Sequence, residues 1–373
     1  MKTTLLQTLC VLFILLSKGV YSQFSVREIF KVKDTLKIEK YAPRDFGFEY
    51  KKIKMNPGDH TILNPKDVEF LKSQTVVEVD LVYSDYPKGA DFHELNRKRI
   101  LELYILLPEA FNNPMIKWNI VKQTGVESTD EMSRHFHGLV VYYRPMPNYE
   151  DEKKEILDVV EGKKPPKDSV LLKVLDRHRT WKNMLVVADV TGSMSPYTAQ
   201  LLFWIKANQK MNTFKQIVFF NDDEAKSTDQ KTVKDQKGIW SIETGNSSKV
   251  IDRAFEAMQN GQHYENNIEA LFYAIRQYPE NKKNIVLIAD NWETPCDMQL
   301  LDELKKEGVV VNVVICGVTD RLNTAYLDIA YATGGSISTM ETDLENIATI
   351  GEGKTISVGK LRFKMMKGRF IQV

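Results

Sequence analysis

VVADVTGSMSPYTAQLL, residues 186–202, decides how the chain folds. A short apolar run over 184–188 (MLVVA) ends in Asp189, Gly192 breaks the chain direction, and an amphipathic helical stretch follows over 199–209. A run with almost no polar position suits a strand covered on both faces, as the strands of parallel sheets are. The unit recurs: nearly continuous apolar runs at 216–220 (QIVFF), 285–289 (IVLIA) and 309–315 (VVVNVVI) alternate with amphipathic stretches at 248–259, 267–277, 297–306 and 324–333. This rhythm predicts an α/β domain over 183–350, built on a doubly wound, mostly parallel sheet with helices on both sides. Ligands of such sheets bind beyond the carboxyl ends of the strands.

Two of the runs end in a carboxylate, Asp189 and Asp290, so both fall at that edge. After Asp189 come the hydroxyls of Thr191 and Ser193, spaced one residue apart in a turn that Gly192 lets bend tightly. Hard divalent cations take oxygen ligands converging from separate segments, which this set supplies. The same hydroxyls also suit a plain helix cap for the helix starting near Tyr197.

The stretch resembles the metal-ion-dependent adhesion site of the von Willebrand factor type A (VWA) family, whose pattern is Asp-x-Ser/Thr-x-Ser after the first strand. The resemblance runs over 183–350, through VLIADN (286–291), NIEALFYAI (267–275), YATGG (331–335) and DLENI (343–347). It implies that Asp189, Thr191 and Ser193 form one metal-binding loop and Asp290 another. It also implies that the domain binds another protein or a surface polymer. The chain departs from the family at the second metal loop, where a Thr is usual and counting back from Ala270 reaches Glu265. Three carboxylates around one doubly charged ion would hold it firmly, yet attract an acidic partner side chain less. Glu265 also suits capping of the helix after it. Magnesium is the default ion, with calcium the alternative because an extra carboxylate favours a larger cation. Trp292 and Glu293, next to Asp290, would rim the site and contact a ligand. His263 is a rival ligand, and 221–224 (NDDE) an acidic turn with the charge for a second cation.

The rest of the chain sets the context. It has 373 residues, with 51 Lys+Arg against 50 Asp+Glu, a balance that excludes a nucleic-acid binder working through a general basic footprint. Lys2, the apolar run 5–16 and the small residues Val20 and Ser22 read as a secretory signal cleaved before Gln23, which places the protein outside the cytoplasm, secreted or periplasmic. Twelve apolar residues fall short of the ~20 of a membrane span, so no stable span is expected. Residues 23–147 read as a smaller α+β domain, with a strand at 74–84 and a helix at 95–107. Residues 148–182 read as a charged linker and lead-in, and 351–373 as a β-hairpin tail that ties back to the first half. Cys296 and Cys316 both approach the functional edge on neighbouring strands, and in an oxidising compartment they are expected to form a disulfide. No catalytic motif is found, so an enzyme is not expected. The rival reading is an enzyme or enzyme accessory subunit with its chemistry in the first half, where His135 and His137 would share a face if they lay on a strand, and with a structural metal in the second.

Overall fold

The computed structural model describes residues 29, 32, 34–111, 113–145, 148–211, 213–221, 237–259 and 265–373. The proposed signal 1–22, His263 and residues 222–224 of the acidic turn lie outside these. The chain divides into two units, Met1–Met146 and Pro147–Val373.

The first unit carries five strands, β1 (Asp34–Ile38), β2 (Glu49–Lys54), β3 (Thr75–Ser84), β4 (Lys117–Gln123) and β5 (Gly138–Arg144), in the order β1-β4-β3-β5-β2. The first three in that order are parallel, and β5 runs antiparallel to both its neighbours, β3 and β2. Helices α1 (Pro65–Leu71) and α2 (His93–Leu106) bury Val68, Leu71, Ile100 and Leu103, and a short α3 (Thr129–Ser133) precedes β5. Two buried acids two residues apart on β3, Glu78 and Asp80, are both hydrogen-bonded by side chains of the same unit. Arg44 bonds them at 2.7 and 2.8 Å, Asn119 donates to both, and the Tyr41 hydroxyl donates to Asp80 at 2.8 Å.

His135 and His137 do not share a strand face. The segment between α3 and β5 is irregular; His135 lies against the Glu131 carbonyl, while His137 is buried with Nε2 3.1 Å from the Met132 carbonyl. Burial pushes the His137 imidazole down to about 4, so it stays neutral and donates that proton. The paired-imidazole geometry considered for zinc is therefore not formed.

The second unit is mixed α/β. Its seven-stranded sheet runs β12-β11-β10-β9-β6-β7-β8, from β6 (Met184–Asp189), β7 (Phe214–Phe220), β8 (Ile239–Glu243), β9 (Ile285–Asp290), β10 (Val311–Cys316), β11 (Ile337–Ser338) and β12 (Asp343–Leu344). The five inner strands are parallel; only the edges β8 and β12 are antiparallel. Both β6 and β9 are buried at every position, because the pleat sends alternate side chains into two separate cores. Leu185, Val187, Leu287 and Val313 enter one, with α8 (Asn267–Gln277), α9 (Leu301–Lys306) and α10 (Thr324–Thr333). Val186, Ala188, Ile288 and Val314 enter the other, with α4 (Tyr149–Val160), α5 (Val170–Arg177), α6 (Ser195–Ala207) and α7 (Ser247–Met258). The glycines of YATGG have a steric reason. Gly334 ends α10 at φ 71°, and a Cβ on Gly335 would stand 1.8 Å from the Val311 carbonyl oxygen.

Residues 148–182 differ from a linker. Asn148 caps α4 by accepting from the Glu150 amide, and Ile156, Val160, Leu171, Val174 and Leu175 of α4 and α5 are core residues. The charge that marks this stretch lies on the outer faces of two amphipathic helices, and density of charge alone does not distinguish these from a linker. The tail also differs: β14 (Leu361–Met366) and β15 (Arg369–Gln372) form the expected hairpin, but it pairs with β13 (Thr355–Val358) and buries Phe363, Met365 and Phe370 in the α10-side core. Its turn has Lys367 and Gly368 at φ 54° and 75°, the left-handed pair a two-residue hairpin requires. Among the described residues no helix is long and apolar enough to cross a membrane.

If α5 belongs to the core, Leu171→Ala should lower the unfolding free energy by about 2–5 kcal/mol in urea denaturation. A change below about 0.5 kcal/mol would return this stretch to the status of a linker.

Candidate metal centre

Register brings the two aspartates to one edge: Asp189 ends β6 and Asp290 ends β9, the neighbouring strand. Each is followed by the same local device. Asp189 Oδ1 accepts the Thr191 amide at 2.8 Å, and Asp290 Oδ1 accepts the amides of Trp292 at 2.7 Å and Glu293 at 3.2 Å. These Asx turns bend the chain and hold each carboxylate by one oxygen. The Thr191 and Ser193 hydroxyls stand 3.3 Å apart, and neither caps a helix. The plain-cap account of this turn is thus not what the side chains do.

Glu265 also does not cap the helix after it. That role falls to Asp297, whose Oδ2 accepts the Glu269 amide in the first turn of α8 at 2.7 Å. Glu265 instead accepts the Tyr326 hydroxyl on Oε2 at 2.7 Å. Its Oε1, and Oδ2 of Asp189, are buried with no hydrogen-bond partner among the described residues. Burial and the charge of Asp290 push the Asp189 carboxyl up to about 7. Glu265 is raised too, by burial first and then by Asp189, Asp290 and Glu293. The groups acting most strongly on each carboxylate, after burial, are therefore other carboxylates.

Buried negative charge left in this condition is what a cation relieves. The donors are all hard oxygens, suited to magnesium or calcium. Among the described residues no three His, Cys, Asp or Glu side chains make a ready cage, so the hydroxyls of Thr191 and Ser193 and water would have to complete a shell. Trp292 and Glu293 sit half-buried in the turn that wraps Asp290. Asn221, at the end of β7, donates to the Ala257 carbonyl at 3.3 Å.

The expected disulfide is not formed: Cys296 and Cys316 are both thiols. Cys316 pairs in register with Asp290, but its side chain enters the core on the α6 side of the sheet. Cys296 lies in the irregular loop after β9, where its amide donates to the Glu265 carbonyl at 2.9 Å, so the two cysteines are not a pair on neighbouring strands.

Three residues of this region carry no local sign of their role. Glu152 on α4 accepts from the Ser195 hydroxyl, which also donates to the Gly192 carbonyl at 3.1 Å, so α4 braces the turn carrying Thr191 and Ser193. The others are Asp297 and Tyr326. Their partners lie 28 and 61 residues away, so no pattern within a window could have found them.

The raised carboxyls fix the sign of a pH effect. Asp189 and Asp297 both titrate near about 7 when folded, against 3.8 in an unperturbed chain. Between those values the folded state holds protons that the unfolded state has lost. In chelator, the melting temperature should fall as pH rises from about 4 through about 7. Added magnesium or calcium should raise it more at pH 8 than at pH 5; an equal gain at both would remove Asp189 from the ion's shell.

No protein-family model matches this chain, and no curated protein matches it. The chemistry of the site rests on its own residues.

Proposed function

We infer that the second unit is a divalent-cation-dependent binding module of the type A kind, engaging another protein or a surface polymer outside the cytoplasm. Asp189, Thr191, Ser193, Glu265 and Asp290 would hold the ion, magnesium first and calcium second. Trp292 and Glu293 would meet the partner. The observation that carries this reading is the pair of buried carboxyls, Asp189 and Glu265, raised by burial and by neighbouring acids, whose Oδ2 and Oε1 meet no N–H or O–H donor among the described residues. The ion would supply a local positive charge that neutralises this edge and offers a coordination position to an incoming oxygen.

The third carboxylate favours a second reading, in which the ion is structural. Asp189, Glu265 and Asp290 together exceed the charge of a divalent ion, so an acidic partner would gain little from joining them.

Calorimetric titration of magnesium and calcium into the purified protein tests the site. Binding is expected in the wild type and lost in Asp189→Ala. An ion at 100 times its Kd should stabilise the wild type by about 2.7 kcal/mol. No heat and no melting shift would sink the cation reading. A pull-down from native surroundings then separates function from structure: partners lost with chelator support binding through the ion, and the same partners with and without chelator make it structural.

A further inference from the structure

We propose that Tyr326 limits Glu265 to one-oxygen coordination and thereby selects a magnesium-sized ion over calcium. The inference rests on the cation site proposed above and concerns a residue outside its ligand set.

Tyr326 is wholly buried on α10, and its hydroxyl donates to Glu265 Oε2 at 2.7 Å, the length of a well-formed O–H···O bond. The phenol has one proton to give, and its only other described acceptor, the Glu293 carbonyl, is further away at 3.3 Å. Oε1 of the same carboxylate has no hydrogen-bond partner among the described residues. The two oxygens of Glu265 are thus unequal before any ion arrives: Oε2 is held by the phenol, and Oε1 has no such donor.

The donor is also fixed in place. Asn323, which caps α10, donates its amide to Asn291 at 2.7 Å, and its side chain donates to the Glu293 carbonyl and to Thr294 at 3.0 Å each. The start of α10 is therefore fastened to the turn that wraps Asp290. Rotating the Glu265 carboxylate to offer both oxygens would weaken the 2.7 Å bond and leave the buried hydroxyl only the longer contact to the Glu293 carbonyl.

That cost falls unequally on the two ions. Calcium takes six to eight oxygens and commonly uses a carboxylate by both, while magnesium is content with six ligands and one oxygen from each carboxylate. Holding Oε2 away from the ion thus removes a ligand that calcium would use and magnesium would not. Residues fixing the orientation of metal ligands typically matter by 10–100-fold in affinity.

The test compares magnesium and calcium affinities by calorimetry in the wild type, Tyr326→Phe, Glu265→Thr and the double variant. Tyr326→Phe removes only the hydroxyl, and the ratio of calcium to magnesium affinity is expected to rise at least about tenfold. In the Glu265→Thr background the same change should leave the ratio alone, because the carboxylate through which Tyr326 acts is gone. A folded Tyr326→Phe whose ratio stays within about twofold of the wild type overturns the proposal. Infrared difference spectra of the wild-type protein give an arm that needs no tyrosine variant, with Glu265→Gln assigning the band. A wide separation of the two carboxylate stretches on magnesium binding is expected for one-oxygen coordination, and a narrow one overturns the proposal. If the wild type binds neither ion, the cation site itself falls and this inference with it. If it binds and the ratio does not move, only this inference falls.

Discussion

A parallel sheet sealed by helices on both faces has only its ends for polar chemistry, and this constraint organises the second unit. Every position of β6 and β9 is buried, so no side chain along either strand meets water. Polar groups collect where the strands stop, and Asp189 and Asp290 stop adjacent strands. The Asx turns after them, the entry of α6 and the start of α8 all follow from bending the chain away from that edge.

The two units treat buried acids in opposite ways. Glu78 and Asp80 in the first are met by Arg44, Asn119 and Tyr41, so their charge is answered by groups of the protein itself. Asp189 and Glu265 in the second act on each other, and each keeps an oxygen without a hydrogen bond among the described residues. An acid pair neutralised internally is a structural element. An acid pair left raised in pKa at the carboxyl edge of a parallel sheet is a place for something from outside.

Legibility followed the range of the interaction. The strand runs ending at Asp189 and Asp290, and the helix 267–277, could be read directly, because period and local polarity encode them. The helical nature of 148–182 was masked by charge on the outer faces of α4 and α5; their inner residues identify themselves only by the core they enter. Cys296 and Cys316 were misplaced for a related reason. Spacing along the chain gives how far a residue lies past a strand end, while the path of the loop that carries Cys296 is set by what it bonds to, here the Glu265 carbonyl.

What the sequence by itself determined is the alternating α/β layout of the second unit and the set of oxygen-bearing side chains at its strand ends, since both depend on neighbours a few residues apart. Tertiary structure alone decided which of those oxygens are already bonded. Asp297 takes the capping role that proximity offered to Glu265, Glu152 reaches the turn after Asp189 from a helix that reads as a linker, and Tyr326 claims one oxygen of Glu265. The physical reason is that a hydrogen bond is settled by distance and direction in space, and these partners are brought within reach only when the helices close over the sheet.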